Sequence, residues 1–185
     1  SKTWPLSSVM AAVDAGQHAF GENYVQEGVD KVAATAGHHL EWHFIGPLQS
    51  NKSRPVAEHF DWVHTIDRLK IAERLSAQRP DQLPPLQVCV QVNVSGEASK
   101  SGCAPDETLA LCRAVAALPR LQLRGLMAIP EPTDDMAAQR MPFRLLREIF
   151  DTIRAEGLLL DTLSMGMSHD LEAAMAEGAI IVRIG

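Results

Sequence analysis

The chain reads as a (β/α)8 barrel, the TIM-barrel arrangement, for three reasons. Short β-branched runs alternate with longer stretches of helical apolar spacing, the signature of a parallel sheet with crossover helices. The count is eight candidate strands and seven candidate helices, so every strand but the last is followed by a helix. No glycine-rich dinucleotide fingerprint follows any strand, which weighs against the open doubly wound sheet that periodicity alone allows equally.

Taken in order, a strand stub ends at Thr3, Pro5 follows it, and a helix over about Leu6–Ala15 stops at Gly16, where a C-cap belongs. His18–Asn23 is the second strand, with a helix over Tyr24–Ala36. Glu41–Gly46 is the third, followed by the loop Pro47–Asn51 and a helix over Lys52–His59. Trp62–Ile66 and the helix Leu69–Gln78 come next. The stretch Gln78–Pro85 holds three prolines but does not interrupt the βα rhythm, so it reads as a loop. Leu86–Asn93 leads through the polar loop Ser95–Gly102 to a helix over Pro105–Ala117, and Leu121–Met127 leads to a helix over Asp134–Glu156. The seventh strand, Thr162–Met165, precedes a helix over His169–Glu177. Ser168 is expected as its N-cap, Asp170 as an acidic first turn and Gly178 as its C-cap. Ile180–Ile184 is the eighth strand. Ser1 is not a methionine and Arg183–Gly185 read as a strand end, so the expectation is one domain over residues 1–185 of a slightly longer chain, with its last helix beyond.

Composition excludes several classes of function. At 185 residues with 46% hydrophobic side chains, there is material for one core. A formal charge of −6 leaves no basic footprint for a phosphate backbone, so nucleic acid is not expected as a partner. Cys89, Cys103 and Cys112 are odd in number and fit neither a disulfide framework nor a zinc spacing, which reads as a reducing cytoplasm. No apolar run reaches the roughly 18 residues of a membrane span. The seven histidines show no metal-ligand spacing, so no metal site is expected, and His43 and His64 read as satisfied core residues.

A barrel works at the C-terminal ends of its strands. There the sequence sets Lys2, then Glu22 and Asn23, the loop Pro47–Asn51, Asp67 and Arg68, the loop Ser95–Gly102, the turn Ser164–Ser168, and Arg183 to Gly185. Barrel closure would pair the eighth strand with the first and bring Arg183 and Gly185 beside Lys2. Loops after the last two strands commonly cradle phosphate. Gly166 would let the backbone approach an anion, Ser168 offers a hydroxyl, and the helix from His169 would point its positive end at the site. A lysine beside such a cradle is the minimum equipment for a Schiff base with a phosphorylated carbonyl compound. Spacing alone also permits bland readings. Lys2 can be a solvated surface residue, the serine turn an ordinary N-capped turn, and Glu22 and Asn23 helix caps. Arg183 in an apolar strand resists dismissal, because a buried guanidinium must find an acceptor or a ring.

Several segments carry a resemblance. They are Ser1–Lys2–Thr3, Phe20–Gly21–Glu22–Asn23–Tyr24–Val25–Gln26–Glu27, His43–Phe44–Ile45–Gly46–Pro47–Leu48–Gln49–Ser50–Asn51–Lys52, Gly125–Leu126–Met127, Ser164 to Asp170 with Glu172, and Val182–Arg183–Ile184–Gly185. Spread in order over the whole length, they make the chain resemble the pyridoxal phosphate homeostasis proteins, small single-domain relatives of the alanine racemase barrel. The resemblance implies pyridoxal 5′-phosphate (PLP) held as a Schiff base on Lys2 with Asn23 near the ring. It implies phosphate contacts from Ser168 and the backbone at Gly185, and Arg183 directed at the pyridine nitrogen. It further implies a cytoplasmic monomer that carries cofactor, with apo-enzymes as possible recipients. In related racemases a tyrosine from a second domain of the partner subunit is the opposing acid/base, and here Tyr24 is the only tyrosine. The alternatives are a PLP-dependent racemase, lyase or decarboxylase with Lys2 or a loop residue as sole base, and a sugar-phosphate Schiff-base aldolase.

Overall fold

The structure, a computed structural model, describes residues 1–97 and 101–185. Its elements alternate as the sequence pattern requires. They are α1 (Leu6–Asp14), β1 (Ala19–Glu22), α2 (Val25–Ala34), β2 (Glu41–Phe44), α3 (Ser53–His59), β3 (Trp62–Ile66), α4 (Leu69–Gln78), β4 (Leu86–Gln91), α5 (Thr108–Ala116), β5 (Leu121–Met127), α6 (Met136–Ala155), β6 (Thr162–Ser164) and α7 (Leu171–Ala176). The strands pair in parallel in the order β1-β2-β3-β4-β5-β6, so all their C-terminal ends lie on one rim.

The sheet curls as a partial (β/α)8 barrel. Side chains of β3 and β6, which have β4 and β5 between them in the sheet, meet at 2.8 Å between His64 Nδ1 and Ser164 Oγ. A flat sheet with strands about 4.8 Å apart would hold those side chains more than a strand spacing out of reach. Two apolar clusters follow from the curl. The larger fills the layer between sheet and helices, with Phe44, Val63, Val88, Val90, Leu126 and Leu163 against Val56, Ile71, Leu75, Val115, Leu146 and Ile153. The smaller, Trp62, Cys89 and Met127 with Ile181 packed against it, lies on the opposite, inner face. Alternation along one strand sends Val88 and Val90 outward to the helices and Cys89 inward.

The two outermost expected strands differ. Ser1–Trp4 is a turn, because Thr3 adopts φ 64° and Trp4 N–H returns to the Ser1 carbonyl at 3.0 Å. A left-handed residue cannot continue an extended strand. The segment at Ile180–Ile184 lies beside β6 but has only an isolated bridge, Ser164 to Ile181, supported by Ile181 N–H to Leu163 O at 3.1 Å and Arg183 N–H to Gly166 O at 2.9 Å. Among the described residues no ladder joins this segment to Ser1–Thr3, so the expected pairing of the eighth strand with the first is not formed.

At α7 the N-cap position is Asp170 rather than Ser168. The Asp170 carboxylate turns back to accept from Met167 N–H at 2.6 Å, which leaves the Ser168 hydroxyl for another partner. Glu22 caps nothing either: it is fully buried between β1 and α2, where its Oε1 accepts from Lys31 Nζ at 2.8 Å. No helix among the described residues is long and apolar enough to cross a membrane.

Candidate functional site

Lys2 and Asn23 share the rim at the end of β1. Ser1 holds the turn that carries Lys2: its backbone nitrogen donates to the Gly21 carbonyl at 2.6 Å and its hydroxyl to the Glu22 carboxylate. Its carbonyl accepts from Lys31 Nζ at 2.7 Å, and Thr3 N–H donates to Glu27 Oε1 at 2.8 Å. Lys2 itself is exposed. Asn23 is half-buried, and its backbone presses against Gly46 so closely that a Cβ there would lie 2.1 Å from the Asn23 carbonyl oxygen. Only glycine permits that approach, and Thr65 Oγ1 fixes it by donating to the Gly46 carbonyl at 2.7 Å.

Ser168, Arg183 and Gly185 form a second group on the rim. Gly166 takes φ +101°, and a Cβ on it would meet the Ala174 methyl at 2.6 Å. That conformation turns the chain between β6 and α7 so that the Gly166 carbonyl receives Arg183 N–H. Gly185 N–H then donates to Ser168 Oγ at 3.3 Å. A backbone amide and a hydroxyl facing each other in an exposed turn are groups an oxyanion can engage. The helix behind contributes less than expected, since α7 begins only at Leu171 and Asp170 occupies the Met167 amide. Among the described residues no hydrogen bond joins Lys2 or Asn23 to this group. Of the Ser95–Gly102 loop, Ser99 and Lys100 lie outside the described residues.

Arg183 reaches inward from this rim. The residue is 9% exposed, its Nη1 donates to Ser164 Oγ at 2.6 Å and its Nη2 to the Ala128 carbonyl at 3.0 Å. Its Nε–H is buried with no acceptor. Burial pushes the guanidinium down to about 10, with Asp170 opposing that shift. The group remains a cation at neutral pH with its Nε unpartnered. Buried donors rarely stay unpaired, so this one marks a place where an acceptor belongs.

Behind Arg183 a line of polar side chains crosses the barrel interior. Ser164 meets His64 Nδ1, His64 Nε2 meets His43 Nδ1 at 2.8 Å, and His43 Nε2 meets Glu41 Oε1 at 2.8 Å. Burial holds both imidazoles below their ordinary value, His64 well below, where the neighbouring His43 and Arg183 add to the effect. The floor beneath is closed by Trp62, whose ring stacks on His43 at 5.2 Å and carries the Arg124 guanidinium at 4.9 Å. Arg124 is itself tied to Asp161 and Gln87. Cys89, on the same inner face, is pushed up to about 12 by burial and stays a thiol.

Sequence reasoning singled out Lys2, Asn23, Ser168, Arg183 and Gly185, of which the structure joins Ser168 to Gly185 by a hydrogen bond, ties Arg183 to Gly166 and Ser164 of the same turn, and leaves Lys2 and Asn23 on the β1 side. It read His43 and His64 as core residues, which they are, but missed that they connect to Arg183. Glu41 was missed in the same way, and Ser164, placed in the turn at its strand end, was not linked to the histidines. The signal available was positional: polar residues at inward positions on β2, β3 and β6. Reading it required the curl of the sheet. Among the described residues no cluster of three metal-ligating side chains occurs.

The sequence profile of the alanine racemase N-terminal domain matches residues 5–185. The chain is 64% identical over 185 residues to the pyridoxal phosphate homeostasis protein of Pseudomonas aeruginosa, covering all of this chain and 79% of that protein. It is 57% identical over 190 residues to the protein of the same name from Escherichia coli K12, with 100% and 80% covered. Among solved structures, PipY of Synechococcus elongatus with PLP bound superposes with a TM-score of 0.91 at 37% identity, covering all of this chain and 87% of that one. The alanine racemase of Corynebacterium glutamicum shares the fold at a TM-score of 0.71 and 16% identity, over 97% of this chain and 49% of its own.

Proposed function

We propose, for a chain that belongs to the pyridoxal phosphate homeostasis protein family and to the alanine racemase N-terminal domain fold, that it binds PLP at this rim and serves the cell by holding and releasing it. When bound, PLP supplies an aldehyde for imine formation and a pyridine ring that can withdraw electrons. Everything else is the work of this chain's own residues. Lys2 offers an exposed amine at the end of β1 for a Schiff base with that aldehyde. Ser168 Oγ and the Gly185 amide meet the phosphate, and Asn23 stands beside the ring.

The observation that carries this reading is the unpaired Nε–H of Arg183. It is a buried donor on a permanent cation, and an unprotonated pyridine nitrogen is an acceptor of the right kind. A guanidinium there disfavours a proton on the ring nitrogen, which weakens the ring as an electron sink. The group also fits at the turn, where the exposed Ser168 hydroxyl and Gly185 amide face each other, while Gly166 serves the packing of the turn on Ala174 and not an approach to the anion. In this reading residues 1–185 act as one domain, as a cytoplasmic monomer that passes cofactor to apo-enzymes by imine exchange.

The test is spectroscopic. The purified protein mixed with PLP should show a yellow imine band that borohydride fixes, and peptide mapping should find the reduced adduct on Lys2. Lys2→Ala should lose the band, and a band that survives in that variant rejects the assignment of Lys2. Incorporation of solvent deuterium at the α-carbon of amino acids, faster than with free PLP, would favour turnover over carriage.

A further inference from the structure

We infer that His64, backed by His43 and Glu41 and joined through Ser164, is a positioning residue for Arg183, forming a one-directional chain of hydrogen bonds from the rim of the barrel to a carboxylate at its floor. The inference rests on the proposed site only in naming what Arg183 is positioned for. The chain itself is a property of the protein alone.

Its direction follows from the two ends. A guanidinium can only donate, so Arg183 Nη1–H points at Ser164 Oγ. A carboxylate can only accept, so the proton between Glu41 Oε1 and His43 Nε2 belongs to His43. Between these ends each neutral imidazole donates once and accepts once, and the Ser164 hydroxyl donates once and accepts at most twice. Ser164 accepts from Arg183 and donates to His64 Nδ1, His64 donates from Nε2 to His43 Nδ1, and His43 donates from Nε2 to Glu41. With burial keeping both imidazoles neutral, this pattern makes both histidines Nε2–H tautomers. A second proton on His43 would displace the one on His64 Nε2 and reverse the middle of the line, with His64 then donating from Nδ1 to Ser164.

The alignment has a consequence for Arg183. Every group in the line turns its acceptor atom toward the guanidinium and its donor away from it, and bonds aligned in series polarise one another in a low-dielectric interior. Arg183 makes no ion pair among the described contacts, so this line and the Ala128 carbonyl are what hold its cation and fork in place. With an acceptor on each Nη, Nε is the one guanidinium nitrogen without a partner, which leaves its N–H for a ligand. Charged groups facing the histidines are Glu41 on β2 and Asp61 before β3, both near His43, and Arg183 near His64.

Two measurements test this. In the cofactor-free protein, imidazole nitrogen shifts by NMR should report the Nε2–H tautomer for both His43 and His64. An Nδ1–H tautomer or a cation at His64 between pH 6.5 and 8 would overturn the chain. In the PLP-loaded protein, His64→Phe and Ser164→Ala should weaken PLP binding by about tenfold or more, the loss expected for one bond to a charged group. They should also shift the absorption maximum of the bound cofactor, while His64→Gln, which keeps one donor and one acceptor, should recover part of both. Folded His64→Phe and Ser164→Ala proteins with the wild-type affinity and absorption maximum would refute the positioning role. Loss of the imine band in the wild-type protein would instead refute the proposed site and leave the tautomer result standing.

Discussion

His64 Nδ1 and Ser164 Oγ lie 2.8 Å apart although 100 residues separate them in the chain and two strands separate them in the sheet. The contact ties the middle of β3 to the end of β6 across the barrel and sets the acceptor that Arg183 uses. It also makes the interior of the barrel sensitive to pH.

Both His43 and His64 are neutral in the folded protein and titrate below their ordinary value of about 6.5. As pH falls below that value the unfolded chain takes up protons that the folded chain refuses. Stability is thus fully present above about pH 6.5 and declines as pH falls, by up to about 1.4 kcal/mol per pH unit for each imidazole. Urea midpoints between pH 7.5 and 5 should show the decline, and His64→Gln should have a lower midpoint at pH 7.5 but a shallower slope. An unchanged slope in that variant would show that His64 does not titrate on unfolding.

Gly166→Ala should be costly twice over. The residue would be strained at φ +101°, and its new methyl would press on Ala174. A loss of about 1–3 kcal/mol is expected from the backbone alone. Because the same turn presents Ser168 to Gly185, PLP affinity should fall as well, measured by titration at a temperature where the variant is folded. An undiminished affinity would separate the turn from the phosphate site.

Arg79→Met distinguishes a structural arginine from Arg183. Arg79 is buried and donates to the carbonyls of Ala57, Phe60 and Pro84, stapling the end of α3 to the proline loop. Removing it strands those acceptors, and the expected destabilisation is about 3 kcal/mol by chemical denaturation. PLP binding and the absorption maximum should be those of the wild type, since no contact links Arg79 to the rim.

All three cysteines are buried, and Cys89 and Cys112 are pushed up to about 12 by burial. The thiolate is the reactive form, so a thiol reagent at pH 8 should label none of them in the native protein and all of them in denaturant. Rapid labelling under native conditions would reveal local opening of the sheet.

Glu177 offers a second pH window. Three arginines of α6, Arg140, Arg144 and Arg147, converge on this carboxylate at the end of α7, and although burial alone would raise it, their hydrogen bonds hold it below the ordinary carboxylate range. Its contribution is present above about pH 4.5 and is lost as pH falls below that. Glu177→Gln should therefore destabilise at pH 7 and converge on the wild type near pH 3, as read by thermal midpoints.

The sequence by itself determined the order and kind of nearly every element. Trp62–Ile66, Leu69–Gln78 and Leu121–Met127 fall where the apolar spacing sets them, because periodicity along a strand or helix is a local property. It also marked Arg183, since a guanidinium in an apolar run demands an explanation wherever it lies. Local pattern did not decide the two ends, where a left-handed Thr3 and a segment bonded on one side only replace regular strands. Nor could it decide that Glu41, His43, His64, Ser164 and Arg183 form one line. Those residues come from three strands and the final segment, and only the curl of the sheet brings their inward faces within hydrogen-bond reach. Polar groups are recruited to a site by distance through space, which a linear pattern does not contain.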